Sequence, residues 1–252
     1  MALFSIDVRN MAEIIDHAVM EITVAYQSKT DHSIGEVNPE LLAQGLRQFT
    51  EVIKRIEANN GSESDSEDGG TSTTGDDITH LGDYGLTLLL DMGQWAISLQ
   101  QVKAYQDLNQ LYVPVALWIA RHGGYINNLE PIVDSLALLA NSTKDPDEIT
   151  EFNDVMGEII NAIAPDIKRD QDKSNSGRPW RVLNLNRCII ATRSNNPKLM
   201  ESAFNTLIQF LPQDAPSFFN EGMAQMELLD YPIPTRNIME KFFKLYTMKK
   251  LH

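Results

Sequence analysis

A histidine and two glutamates near the start of the chain have the spacing of a one-sided helical cluster. Glu13, His17 and Glu21 follow each other at intervals of four, which places their side chains on one helix face. Carboxylates and imidazole are ligands of iron, manganese and zinc. Helical di-iron proteins, however, use Glu-x-x-His motifs on two helices, and this sequence contains no Glu-x-x-His. A solvated polar face is the main interpretation, and a metal-binding helical bundle or enzyme built on these residues is the alternative.

The sequence offers no convincing nucleophile or phosphate site. Its one cysteine, Cys188, stands in the stretch Leu-Asn-Arg-Cys-Ile-Ile, where a thiol is expected to pack as a small hydrophobic group. A catalytic cysteine requires an accessible, electropositive setting. There is neither a phosphate-binding glycine loop nor a Gly-x-Ser-x-Gly elbow. We therefore expect no catalytic residues, no cofactor and no enzymatic activity.

An aromatic residue between two arginines is the one feature that suggests nucleic acid. Trp180 lies between Arg178 and Arg181, and such a site could stack a base. The chain as a whole carries a formal net charge of −14, which repels phosphate backbones. We expect no nucleic-acid partner, and interpret Pro179 as a helix start with Trp180 anchoring the packing.

Composition places the chain among globular proteins of a reducing compartment. Its 252 residues are 42% hydrophobic, enough for a substantial core. The longest apolar run, Leu111 to Ala120, is half the roughly 20 residues of a membrane-spanning helix. The first residues lack the basic start and apolar run of a secretory signal, and a single cysteine fits a reducing environment. We expect a cytoplasmic protein without membrane insertion.

One segment divides the sequence. Residues 61–77 read GSESDSEDGGTSTTGDD and contain no hydrophobic residue, so nothing offsets the entropy cost of ordering them. This composition predicts an N-terminal helical hairpin over 1–60, an acidic flexible linker over 61–79, and a larger domain over 80–252.

Helix signals recur on both sides of the linker. Asp7, Asn38 and Asp145 are predicted N-caps, and the last two are followed by proline at the first helical position. A hinge is expected near Gly93, and a turn at 122–125. Apolar residues follow helical periodicity, with no convincing period-two strand. The sequence predicts an all-α protein of antiparallel helical hairpins.

The inter-helix turns suggest a repeat. Turns ending at Tyr125, Pro197 and Tyr231 are separated by 72 and 34 residues, or roughly two units and one unit of the 34-residue helical repeat. Within the C-terminal stretch, five residues stand at spacings similar to those of tetratricopeptide repeats: Phe204, Pro212, Phe218, Gly222 and Tyr231.

Residues 80–250 therefore resemble a tetratricopeptide-like α-solenoid, most specifically over the last 60 residues. Tyr112, Ala116 and Tyr125 form a fainter copy. Pro234 departs from the family, which usually has alanine there, and 146–179 fits poorly. An irregular α-helical bundle is the alternative fold.

The resemblance implies a function. In such repeats the first helix of each unit lines a concave groove that binds a peptide or helix. Mapped onto this sequence, seven apolar residues are expected to face the groove: Val113, Leu117, Val182, Ile189, Phe219, Met223 and Met226. Methionine adapts its shape to different partners. The same stripe is also the pattern of a buried core, and this alternative stays open.

We accordingly expect a non-catalytic scaffold, adaptor or chaperone-like protein that binds an apolar helix or extended segment of another protein. Self-assembly into homo-oligomers through the stacking surfaces is a further alternative.

Overall fold

A computed structural model describes residues 7–28, 37–60, 73–171 and 173–247. Across these ranges the regular structure is helical, which confirms the all-α prediction. The helices run in this order: α1 (Val8–Gln27), α2 (Pro39–Asn60), α3 (Gly75–Ser98), α4 (Val102–Asn109), α5 (Tyr112–Arg121), α6 (Glu130–Ser142), α7 (Pro146–Ala162), α8 (Pro165–Lys168), α9 (Pro179–Arg193), α10 (Pro197–Phe210), α11 (Ala215–Leu228) and α12 (Ile233–Thr247).

The predicted N-caps begin the helices expected of them. The Asp7 carboxylate accepts hydrogen bonds from the backbone N–H groups of Arg9 and Asn10 at the start of α1. The Asn38 side chain accepts from the Glu40 N–H, and Asp145 caps α7 ahead of its first-turn proline. Each cap satisfies donors that have no partner within the helix.

Contacts group the chain into two compact units, an N-terminal unit (Met1–Ser135) and a C-terminal unit (Leu136–His252). The boundary falls within α6, whereas composition suggested a division at 61–79. The hairpin α1–α2 packs against α3 and α4. The apolar residues along one side of the hairpin are buried in the resulting core. Of the predicted linker, residues 61–72 lie outside the described ranges, and 75–79 form the first turn of α3.

The expected hinge at Gly93 is wrong. Helix α3 runs unbroken through this residue, and the chain turns at Leu99–Gln101, where Gln100 has a φ of +59°. A glycine costs a helix only about 1 kcal/mol relative to alanine. Buried neighbours on both sides of Gly93, Met92 and Ala96, stabilise the helical course.

Hairpins also build the C-terminal unit. Helix α9 packs against α7 and α10, while α12 packs against α11 and α10. Phenylalanines from three helices meet where α10, α11 and α12 join: Phe204 lies 5.3 Å from Phe219 and 5.2 Å from Phe242, measured between ring centroids. One short helix, α8, lies in the connection between α7 and α9.

Candidate partner-binding cleft

A cleft of about 400 Å³ opens in the C-terminal unit between α9, α11 and α12. Its wall is mainly apolar, with charged groups at intervals. The lining residues are Arg181, Leu185, Ile189, Thr192, Arg193, Ser217, Phe218, Glu221, Gly222, Gln225, Met226, Tyr231 and Met239.

One face of α9 forms a wall of this cleft. Arg181, Leu185, Ile189 and Arg193 stand at successive intervals of four residues, so they share one side of the helix. Ile189 is 48% exposed, so about half of this aliphatic side chain is accessible within the cleft. The two arginines stand at the ends of this stripe, with the aliphatic residues between them.

The opposite side depends on a glycine. A Cβ at Gly222 would come within 2.6 Å of the Met239 sulfur, so the Met239 side chain packs directly over Gly222 and would have to shift if this position carried a side chain. Met239 and Met226 are both buried and present part of their surface to the cleft. Gly222 is one of the five residues that stand at tetratricopeptide-like spacings in the sequence.

A network of ion pairs fixes α9 relative to α11. The Arg178 guanidinium pairs with Asp170 and, at 3.0 Å, with Asp214, which precedes α11. Arg181 pairs with the same Asp214 at 2.5 Å. The hydrogen bond with Asp170 raises the pKa of Arg178 above its ordinary value. Arg178 and Asp170 are both buried, so this network holds the N-terminal ends of both cleft-lining helices.

The same network engages the two arginines that flank Trp180. Trp180 is buried, and its ring lies 5.2 Å from that of Phe210 in an edge-to-face contact. Both flanking arginines already bind carboxylates. Helix α9 begins at Pro179 as predicted, with Trp180 as its packing anchor.

Arg193 closes the other end of the cleft. It donates hydrogen bonds to the carbonyl oxygens of Ala140 (2.7 Å) and Thr143 (2.6 Å), at the C-terminal end of α6. A cation is favourable there because the helix end carries partial negative charge. Within the described ranges no carboxylate pairs with Arg193, so its positive charge is not neutralised by an acid.

Two of the seven predicted groove residues, Ile189 and Met226, line the cleft. Val182 and Met223 are half-buried and stand outside its lining. Phe219 is buried in the phenylalanine cluster, because its side of α11 faces α10 and α12. For this residue the core alternative describes the structure.

Helix α5 does not contribute to this cleft. Val113 and Leu117 are fully buried in the N-terminal unit, where neighbouring residues of α5 are buried as well. An apolar helix covered around most of its circumference has no face left for a partner. The groove interpretation therefore does not describe these two residues.

Sequence reasoning missed part of the lining. Leu185, Phe218 and Met239 were not selected, although Leu185 stands four residues before Ile189 on one face of α9. That spacing was a usable signal. Met239 gave none, since only the packing of α12 against Gly222 brings it to the cleft.

Cys188, next to Ile189, lies on the core side of α9. It is fully buried, and its thiol donates to the Ala203 carbonyl oxygen at 3.4 Å. Burial raises the pKa of this thiol well above its ordinary value. The thiol therefore stays protonated, and in this setting it is a packing group.

The residues of the alternative metal site do not converge. Glu13 and His17 are exposed on α1, and the His17 Nδ1 lies 3.9 Å from Asp107 on α4. Across the described ranges, no group of three His, Cys, Asp or Glu side chains is placed to hold a metal ion. Nor is any helix there both long and apolar enough to cross a membrane.

No family model, curated protein sequence or solved structure matches this chain. The geometry of the cleft and its surroundings is therefore the basis for a functional proposal.

Proposed function

We propose that this chain is a non-catalytic adaptor or chaperone-like scaffold that binds a partner polypeptide, and that the cleft between α9 and α11 receives apolar side chains of that partner. The observation that carries the proposal is Ile189, a half-exposed aliphatic side chain between Leu185 and two methionines of the opposite side. Exposed apolar surface within a concave site is typical of binding surfaces.

The size of the cleft favours side chains over a whole helix. Its 400 Å³ lies near the lower end of the roughly 300–1,000 Å³ of sites that hold small ligands. A few apolar side chains fill such a volume. An amphipathic helix that places anchors at positions i, i+3 or i+4 inserts them in this way, with its backbone outside the cleft.

The residue types also favour a polypeptide. Met226 and Met239 have flexible, polarisable side chains that adjust to anchors of different shape. The side-chain oxygens and nitrogens of Gln225, Ser217 and Glu221 stand among them and can pair with the backbone or polar edge of a bound segment.

A tetratricopeptide-like arrangement is part of the proposal. In that arrangement α9 and α11 are first helices of consecutive hairpins and α10 and α12 are second helices. Two observations support it: the second helices pack against each other, and the cleft opens beside the first helices. The single buried cysteine supports a reducing location such as the cytoplasm.

The experiment uses a defined probe. A net-neutral, fluorescein-labelled amphipathic peptide with leucine at every third or fourth position is titrated with the full chain, and binding is followed by fluorescence anisotropy. Ile189→Glu should weaken binding at least tenfold, since it places a charge among apolar anchors. Leu138→Glu is the matched control: Leu138 is 63% exposed on α6, outside the cleft lining.

The control should bind as the unmodified chain does. Equal loss in the two variants would contradict a role for the cleft. A version of the peptide with serine in place of leucine should not bind; if it binds as tightly, apolar anchoring is excluded.

A further inference from the structure

The turn that joins α11 to α12 exposes a run of apolar side chains. Leu228 is 76%, Leu229 50% and Ile233 74% exposed, and Pro232 and Pro234 are exposed beside them. Connecting turns are normally polar, and runs of exposed apolar residues are unfavourable unless they serve a function. We refer to residues 228–234 as the apolar turn.

The apolar turn is held in one conformation by its own contacts. Arg236 donates hydrogen bonds to the carbonyl oxygens of Tyr231 (2.9 Å) and Leu229 (3.0 Å). The Tyr231 N–H donates to the Leu229 carbonyl oxygen at 3.0 Å, which closes the turn. The two prolines fix their φ angles. Such a preorganised segment loses little conformational entropy when it binds.

The apolar turn borders the cleft. Tyr231, at its centre, is one of the cleft-lining residues, so the turn and the cleft open on the same side of the C-terminal unit. A two-fold symmetric pair requires this placement, because each copy must offer both surfaces to the other.

Charge supports the same pairing. Asp230, the one acid within the apolar turn, is fully exposed, and its ion pair with Arg236 of the same chain is long, at 3.6 Å. Such an exposed pair contributes little, so the carboxylate remains accessible to another cation. The cleft of another copy offers Arg193, whose charge no carboxylate of the described residues neutralises. Glu221 also lines the cleft, and it is hydrogen-bonded to Ser217 at 3.0 Å. Asp230 is thus expected at the Arg193 end of the cleft.

We propose that the cleft is occupied by the apolar turn of a second copy of this chain, in a two-fold exchange in which Leu228 and Ile233 of each copy enter the cleft of the other. This inference rests on the proposed function, since it requires that the cleft receive apolar side chains. The exchanged surface is small, so the dimer is weak and in rapid exchange with monomer. A partner polypeptide then competes with self-association.

Sedimentation velocity of the full chain from micromolar to millimolar concentrations tests the association, because a weak dimer is populated only towards the upper end of this range. The unmodified chain should shift from monomer towards dimer as concentration rises. The double variant Leu228→Asp, Ile233→Asp should stay monomeric, and Leu138→Asp should associate as the unmodified chain does. An unmodified chain that is monomeric throughout, or a double variant that still dimerises, would overturn the proposal.

Cross-linking identifies the surface. A chain with Ile189→Cys is mixed with a second chain carrying Leu228→Cys, and disulfides are allowed to form under mild oxidation. The mixture should give a covalent heterodimer at several times the yield obtained when Leu138→Cys replaces Leu228→Cys. Equal yields would mean that any dimer uses another surface, and the inference would be wrong.

The labelled peptide separates this inference from the proposed function. The double variant keeps its cleft, so it should bind the peptide at least as tightly as the unmodified chain. A monomeric unmodified chain that binds the peptide overturns the exchange and leaves the proposed function standing. If the unmodified chain dimerises but the double variant, whose cleft is free, binds no peptide, the proposed function is wrong. This inference is then wrong as well, because it rests on the proposed function.

Discussion

The ring of Phe49 on α2 occupies the space that a side chain at position 85 of α3 would need. A Cβ on Gly85 would come within 2.3 Å of two ring carbons of Phe49, closer than any real contact. Phe49 is fully buried, so its ring has no open space into which it can move. The approach of these two helices in the N-terminal unit therefore depends on the absence of a side chain at Gly85.

Gly85→Ala should destabilise the protein, whereas Gly93→Ala in the same helix should not. The first substitution overpacks the contact with Phe49 and is expected to lower the free energy of unfolding by about 1–3 kcal/mol. At Gly93 the nearest atoms to an added Cβ are 3.8 Å away, on Tyr105. That substitution is expected to gain up to about 1 kcal/mol from helix propensity. Urea denaturation followed by circular dichroism measures both; the same sign of change in the two variants would contradict the packing account.

Arg178→Met should destabilise the C-terminal unit by about 3–5 kcal/mol, because it leaves the buried carboxylate of Asp170 without its partner. Arg181→Met is the control. Arg181 is more exposed, and Arg178 would still pair with Asp214, so a smaller loss is expected. Thermal unfolding monitored by tryptophan fluorescence and calorimetry makes the comparison. Equal small losses in both variants would mean that the network does not fix the two helices.

Asp77 should titrate at lower pH than an ordinary aspartate. Hydrogen bonds from the backbone N–H and the hydroxyl of Thr74 lower its pKa below 3.8. Because the folded-state pKa is depressed, the stabilisation is fully present above the unfolded-state pKa and is lost as the pH falls through the folded value. Carboxyl NMR titration measures the shift. Thr74→Ala should move the pKa upward, and an unchanged titration in that variant would contradict the assigned cause.

The Cys188 thiol should not react in the folded protein. Burial raises its pKa, so thiolate is scarce at neutral pH, and the sulfur is inaccessible to reagents. Labelling with an aromatic disulfide reagent should be negligible until the chain unfolds. A chain carrying Cys188→Ala and Ile189→Cys is the matched control, since position 189 is exposed, and it should label rapidly. Comparable labelling rates for the two chains would show that α9 does not face its core as described.

Local signals predicted the helix starts, and long-range packing decided what they could not. The caps at Asp7, Asn38 and Asp145 depend on hydrogen bonds within three residues, so the sequence contains all the information needed. Glycine lowers the stability of a helix, but Gly93 lies among buried neighbours, and these tertiary contacts outweigh its low helix propensity. A hinge was expected there because the local sequence does not show which residues will be buried.

In the candidate site, too, the sequence predicts apolar helix faces but does not show which of them a neighbouring helix covers. Ile189 and Phe219 carry the same periodic signal, but one side chain faces the cleft and the other fills the core. Periodicity identifies an apolar face and does not say whether a neighbour covers it. Which face stays open is decided by α12, which covers Phe219 through Phe242 and leaves the cleft face of α9 exposed.

The most direct test of the account is a methyl NMR titration of the full chain, labelled on isoleucine, leucine and methionine, with the amphipathic leucine peptide. The account predicts saturable shifts at Leu185, Ile189, Met226 and Met239, and unchanged signals at Leu138 and Met20, which are exposed elsewhere. Shifts spread evenly over exposed methyl groups, or none at the four cleft residues, would contradict it.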